Sequence, residues 1–418
     1  MLKQPWGIVS RLVSLFSGLC FRVWAMQTRS AIMSAETPTD LPRVHASGPD
    51  PDRILLFGSD VFVGRGVLSH NVAFPGYLAR TIARTTKRGV DVHIDAHSSL
   101  KIEAAVVEAR LLDLSRYDAV LIDIGLADAL AATPGPRWAA QLEVLLQIFS
   151  SGVAAPARVF FIESPDPTIV PAFRSRGGRK VARRFLDYNS RSANVAANYG
   201  NVTFLPFEVN REEDTDRLHT ARTFQGFASS LAPRLIVHLE KEFLAGAPRA
   251  APIACEAKRQ TTVDSLRILG TDPEERFDRI VAQAQRIFGT DYAAFNIIDR
   301  DRRWTKSRAG LPAADCSDCG VEFCSTTIHG HGALVVGDTL EDPRFAENAF
   351  VTAGPRLRFY IGYPIEAPDG QRIGALCVYD RTPRTIYGKE EAMIRDLAAQ
   401  IEGELWSMPH MKAPVFAS

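Results

Sequence analysis

Residues 53–80 read RILLFGSDVFVGRGVLSHNVAFPGYLAR, and this stretch decides the fold of the first half of the chain. An apolar run follows Arg53 and stops at Gly58-Ser59-Asp60. Gly64 and Gly66 loosen the next segment, and an amphipathic pattern begins near Pro75. Strand, turn and helix are the reading of that order. The same alternation repeats downstream. Strands are predicted at Arg53–Phe57, Val90–Asp95, Ala119–Ile124, Arg158–Ile162 and Val202–Leu205. Helices are predicted near 75–86, 100–112, 138–149, 181–198 and 221–243. Apolar strands alternating with helices predict a parallel sheet covered on both faces, an α/β three-layer sandwich. In such sheets chemistry gathers at the carboxyl ends of the strands.

Three clusters fall at such ends. Gly58-Ser59-Asp60 follows the first strand, Gly125-Leu126-Ala127-Asp128 the third, and Asp216-Arg217-Leu218-His219 precedes the last helix. An Asp three residues before a His can orient its imidazole as a general base. No GxGxxG or GK[ST] is present, so the glycines do not read as a nucleotide loop.

Order and spacing of these blocks resemble the SGNH/GDSL esterase-lipase family over residues 51–246. RILLFGSD resembles its Gly-Asp-Ser block, VLIDIGLADAL its Gly-x-Asn-Asp block, and DTDRLH its Asp-x-x-His block. The resemblance implies a Ser nucleophile, an oxyanion hole completed by Gly and Asn, and an Asp–His pair. Here Asp60 stands at the nucleophile position with Ser59 before it, and Ala127 stands at the Asn position. The second block, IDAHSSLKI, offers Ser98 or Ser99 and no clear Gly. Asp216 and His219 match. Three readings stay open: Ser59 as a displaced nucleophile, Asp60 attacking directly, or a hydrolase fold kept for binding with Ser59 and Asp60 as capping residues. The basic run Arg174, Arg176, Arg179, Lys180, Arg183, Arg184 and Arg191 reads as a solvated helix face and loop, with contact to an anionic ligand or RNA as the alternative.

Composition bounds the rest. The 418 residues carry 49 Lys+Arg against 48 Asp+Glu, a net charge of +1. That balance argues against a dedicated nucleic-acid binder. Six Cys are too few for a disulfide scaffold. Residues 1–50 read as a leader, disordered or upstream of the true start, with Met1, Met26 and Met33 as candidate starts. Its apolar run, Leu12–Phe21, is about ten residues, roughly half of what a membrane helix needs, so no stable span is expected. An amphipathic membrane-associated segment and a secretory signal are the alternatives. A cytoplasmic location is the expectation.

After an Ala/Pro-rich linker at 247–260 the pattern changes to an α+β domain over 261–408, with a tail at 409–418. Asp272 as N-cap, Pro273 at N1 and Glu275 reaching back start a helix, which Gly289 ends. Strands follow at Tyr292–Ile298, Trp304–Arg308, Ala333–Val336, Phe359–Ile365 and Arg372–Asp380. A helix carrying Met393, Ile394, Leu397, Ala398, Ile401 and Leu405 closes the chain.

LRILGTDPEERFDRIVAQAQRIFG, AAFNIIDRDRRWTKSRAGL, EFCSTTIHGHGALVVGDTLEDPRFAENAFV and RFYIGYPIEAPDGQRIGALCVYDRTPR closely resemble the GAF domain of bacterial signalling proteins. The resemblance implies a central antiparallel sheet, a pocket for a small-molecule ligand that the family does not specify, and dimerisation through terminal helices. Trp304, Cys324, His329, Asp338, Arg358 and Tyr360 are the candidate pocket residues, with Arg358 the choice for an anionic ligand. Cys316, Cys319 and Cys324 stand as pocket-lining, as a redox pair or group, or as zinc or iron ligands with a nearby His. No cofactor is otherwise expected. The whole reads as a sensor of a small molecule or redox state, joined to an SGNH-like domain that lacks hydrolase activity and signalling to a partner protein. The alternative is a GAF-regulated ester or acyl hydrolase using Asp60 or Ser59 with His219.

Overall fold

A computed structural model of the protein describes residues 20–32, 34–46, 48, 50–59, 61–169, 173–207, 220–244, 256–300, 302–310, 321–330, 332–367 and 370–408. Two compact units divide the chain, most of one lying within residues 53–245 and most of the other within 246–418.

The first is built on six strands: β1 (Arg43–Ala46), β2 (Asp52–Gly58), β3 (Val90–Ala96), β4 (Ala119–Asp123), β5 (Arg158–Ile162) and β6 (Val202–Leu205). Their order in the sheet is β1-β3-β2-β4-β5-β6, and β2, β4, β5 and β6 run parallel. Its helices are α1 (residues 20–32), α2 (Phe74–Thr86), α3 (Ile102–Ala109), α4 (Leu126–Ala131), α5 (Gly135–Gly152), α6 (Arg176–Ala196) and α7 (Ala221–Leu244). Successive strand residues point to opposite faces, and both sets are buried, as a doubly covered sheet requires. Leu55, Phe57, Val120, Ile122, Val159 and Phe161 meet the apolar faces of α3, α5 and α6 in one core. On the other face Phe160 meets His238 of α7 edge-on at 5.8 Å. Trp138 of α5 stacks on Tyr188 of α6 at 4.4 Å, which ties the two helices together.

Where it is described, the expected leader is folded rather than disordered. Phe21, Ala25, Thr28 and Ile32 are buried, and the three apolar ones join the first unit's core. Their spacing of four, three and four residues makes one helical stripe, which the short apolar run concealed. Trp24 lies over Gly177, where a Cβ would come within 2.2 Å of the indole. The basic run also contributes: the Lys180 and Arg184 cations sit 5.6 and 4.7 Å from the Phe21 ring centre. Strand β1 adds a further ordered piece of the leader.

The second unit carries β7 (Tyr292–Asp299), β8 (Arg302–Ala309), β9 (Leu334–Val336), β10 (Phe359–Glu366) and β11 (Arg372–Asp380) in the order β8-β7-β11-β10-β9, every pairing antiparallel. Helices α8 (Glu256–Leu266), α9 (Glu275–Phe288), α10 (Val321–His329), α11 (Ala349–Thr352) and α12 (Gly388–Trp406) complete it. The first turn of α8 occupies the end of the expected linker, with Arg259 fully buried and donating to the Ile298 carbonyl.

Helix α9 starts two residues later than Asp272 as N-cap would place it: Glu274 is the N-cap. Lys306 explains the difference. Its buried ammonium donates to Thr271 Oγ1 at 2.6 Å and the Asp272 carbonyl at 2.7 Å, and it pairs with Glu274 Oε1 at 2.7 Å. Residues 271–274 are thereby held outside the helix. Gly289 ends α9 with φ +56°, as expected. The apolar seam of α12, Ile394, Leu397, Ala398, Ile401 and Leu405, is buried in its own unit's core.

Candidate functional sites

The first candidate site lies at the carboxyl ends of β2 and β4. Gly58 has φ +132°, and a Cβ there would fall 1.9 Å from the Asp123 carbonyl oxygen. Only glycine lets the two strands approach this closely. Beyond it, the Ser59 N–H donates to that carbonyl at 2.7 Å, its Oγ lies 3.5 Å from the same oxygen, and the Val61 N–H reaches Asp123 Oδ2 at 3.4 Å. Ser59 is 1% exposed. Asp60, Asp216 and His219 lie outside the described residues, so of the four catalytic candidates the structure locates Ser59 alone.

The second and third blocks meet through a residue that the sequence did not single out for that role. Asp128, also 1% exposed, accepts from the Ile102 N–H and from the Thr133 hydroxyl, each at 2.8 Å. Burial pushes its carboxyl up, against these two hydrogen bonds and the Lys101 cation. An Asp aimed back at the first turn of α3 fixes the loop that carries Ser98 and Ser99. Those two serines and Ala127 line a pocket of about 210 Å³ roofed by α1. Ala127 brings no side-chain donor to it.

Next to this loop stands a group that the sequence reading missed. His97 Nε2 lies 3.4 Å from Asp95 Oδ1 and 3.6 Å from Glu108 Oε2, and the three ligand atoms fall within 4.8 Å of one another. The hydrogen bond to Asp95 raises the His97 imidazole, and burial raises the Glu108 carboxyl. Imidazole with two carboxylates is a donor set that suits a divalent cation. The HxxxxxxxxxxE spacing joins a loop to a helix, which is why no local motif reveals it.

In the second unit, two of the six pocket candidates come together. Tyr360 and Cys324 are buried in one polar cluster with Asn296, Thr327 and Cys377. The Tyr360 hydroxyl lies 2.7 Å from Thr327 Oγ1 and 3.1 Å from Cys377 Sγ, and the two sulfurs are 3.7 Å apart. The hydrogen bond from Cys377 lowers the Cys324 thiol, and burial drives Cys377 and Tyr360 up. The other candidates lie elsewhere. Asp338 and Arg358 form an ion pair, Nε to Oδ1 at 2.8 Å with a second contact from Nη2 to Oδ2, so the guanidinium already has a counter-charge. His329 is exposed, with Nδ1 2.6 Å from the Ser325 carbonyl of its own helix. Trp304 is half-buried and packs on the main core opposite Ile297. Cys316, Cys319 and His331 lie outside the described residues.

The architecture is thus a parallel α/β unit with its candidate residues at strand carboxyl ends, followed by an antiparallel α+β unit with a buried polar cluster. The chain carries a GDSL-like lipase/acylhydrolase family domain over residues 56–241 and a GAF domain over residues 272–405.

A curated relative from Pseudomonas aeruginosa named cyclic di-GMP phosphodiesterase is 35% identical over 159 residues, 37% of this chain; the chain spans 26% of that relative's length. Among solved structures, a psychrotrophic esterase from Pseudoalteromonas is 14% identical, covering 46% of this chain and 97% of its own, with a TM-score of 0.32. The GAF domain of an Acinetobacter phosphoenolpyruvate-protein phosphotransferase is 15% identical, covering 36% and 93%, with a TM-score of 0.27. Among the described residues no helix is long and apolar enough to cross a membrane.

Proposed function

We propose that this is a GAF-containing signalling protein whose C-terminal domain senses a small molecule or redox state and whose hydrolase-type domain binds without hydrolysing. The observation that carries the second half is the state of the family's catalytic positions. Ser59 is buried with its Oγ against the Asp123 carbonyl, and Ala127 supplies no side-chain donor where the family's Asn would. Loss of one such donor costs about 2.7–4 kcal/mol of transition-state stabilisation. The GAF domain and the likeness to a protein named for cyclic di-GMP turnover support the signalling half. A small-molecule ligand for the GAF domain and a downstream partner protein complete the reading.

The test is hydrolysis of a short-chain nitrophenyl ester by the full chain and by His219→Ala. Equal, background-level rates are expected. Turnover above background that disappears in His219→Ala overturns the non-hydrolytic reading in favour of a GAF-regulated esterase.

A further inference from the structure

We propose that the pocket under α1 is a binding site for a small organic anion, a carboxylate or monophosphate on a short apolar body. The proposal rests on the reading that this domain binds rather than hydrolyses, and it names the class of ligand.

The lining has two chemically distinct parts. Arg22 and Arg29, one helical face apart by seven residues on α1, and Lys101 at the start of α3 bring three cations to it, with Ser98 and Ser99 as hydroxyl donors. Among the described residues no carboxylate lines it. Neither Arg22 nor Arg29 makes an ion pair among the described residues. Asp128 attracts Lys101 from below, but its oxygens are occupied by the Ile102 N–H and the Thr133 hydroxyl. The remaining wall is aliphatic, with Met26, Ile32, Leu126 and Leu130 its larger members. Convergent cations and hydroxyls over an apolar wall select an anionic head on an apolar body.

Size limits the body. A volume of about 210 Å³ is below the range usual for drug-sized ligands. A chain of roughly six carbons with its head group suits that space. The site also gives α1 a purpose beyond packing: its buried stripe, Phe21, Ala25 and Ile32, fixes the helix, while exposed Arg22 and Arg29 line the pocket beside Ala25 and Ile32.

Calorimetric titration of the full chain with hexanoate, hexyl phosphate, inorganic phosphate and hexanol tests this. At least one of the two organic anions should bind at one equivalent, with hexanol and inorganic phosphate at least about tenfold weaker. Which of the two binds better identifies the head group. Arg22→Gln with Arg29→Gln should weaken the bound anion about tenfold with an unchanged melting temperature, two charge-assisted contacts being removed. Lys101→Gln should weaken it independently should the double variant prove unstable.

The site is overturned if neither organic anion binds at millimolar concentration, if hexanol or inorganic phosphate binds as tightly, or if both sets of variants bind like the wild type. The two readings fail separately. His219-dependent turnover with anion binding intact removes the non-hydrolytic reading alone, and absent turnover with no anion binding removes this site alone.

Discussion

Asp128 is the residue whose replacement tests the construction of the first site most directly. Its carboxylate serves two donors on two different oxygens, the Ile102 N–H on Oδ2 and the Thr133 hydroxyl on Oδ1. In Asp128→Ala the Ile102 N–H, in a buried part of the fold, loses its acceptor, while half-buried Thr133 can turn towards water. A hydrogen bond to a charged group contributes about 1.5–3 kcal/mol, and a stranded buried donor costs about 1–3 kcal/mol. Relief of the desolvated charge offsets part of this, so the net loss is about 2–3 kcal/mol. For a domain of this size that is a fall of roughly 5–10 °C in melting temperature.

Asp128→Asn behaves differently. The amide oxygen takes the Ile102 N–H, the amide NH2 faces Thr133, and the threonine hydroxyl reverses its role and accepts. The Asn variant should therefore lie within about 1 kcal/mol of wild type. Acid adds a signature. The buried carboxyl holds its proton more tightly than in the unfolded chain, so its contribution to stability falls as pH rises from 3.8 through the raised folded value. Wild type should gain on Asp128→Asn as pH drops through that window. Urea unfolding at pH 7 and in the acid window reads all three proteins. Asp128→Ala within 0.5 kcal/mol of wild type, or Asp128→Asn as damaged as Asp128→Ala, refutes the two-acceptor reasoning; ~0.5 kcal/mol is the usual scatter of neutral substitutions.

Lys306→Met should cost about 2–3 kcal/mol in the second unit, because it strips partners from Thr271, Asp272 and Glu274 together; chemical denaturation measures it. Burial would raise Glu274, but its hydrogen bonds to Lys306 and Arg276 win and depress it, so its stabilisation is present above pH 4.5 and lost as pH falls towards the depressed value. Lys306→Met should flatten that acid slope, and an unchanged slope would contradict the pairing. Gly58→Ala drives a Cβ into the Asp123 carbonyl and should lower the melting temperature of the first unit severely or prevent folding; a near-normal melting curve would show that the β2–β4 approach is looser than 1.9 Å implies. Cys324 and Cys377 are fully enclosed, so alkylation by iodoacetamide, followed by mass spectrometry, should leave both unmodified in the native chain and modify both in urea. Rapid native labelling of Cys324 would mean that the cluster opens.

The strands were legible because each has a one-dimensional signature. Arg158–Ile162 and Val202–Leu205 end where their apolar runs end, and the five strands of the second unit fall within a residue or two of their expected bounds. What escaped had no such signature. Helix α1 hides its stripe because exposed Val23 and Met26 lie between its buried residues and blur the pattern. The start of α9 was misplaced because Asp272-Pro273 is locally a good cap, and the competing term is a lysine more than thirty residues away on β8. Local propensity is a weak prior that a buried ammonium with three partners readily overrides.

The site divides along the same physical line. Positions were readable from spacing: Ser59 and Ala127 do sit at the carboxyl ends of β2 and β4, where a parallel sheet concentrates its chemistry. Roles were not, because a role depends on what faces a side chain. Arg358 looked like a hook for an anion until Asp338, twenty residues earlier, proved to occupy it. Cys377, Asn296 and Thr327 carried no motif, yet they surround Cys324 and Tyr360 more closely than any residue that did. In the first unit the reversal is sharper. Asp128 is the Asp of the third block, and its geometry gives it a task independent of any nucleophile: holding the second block against the third. That brace fixes the loop carrying Ser98 and Ser99 whatever stands at position 127, so the Asp128→Ala variant should lose the organic anion along with its stability.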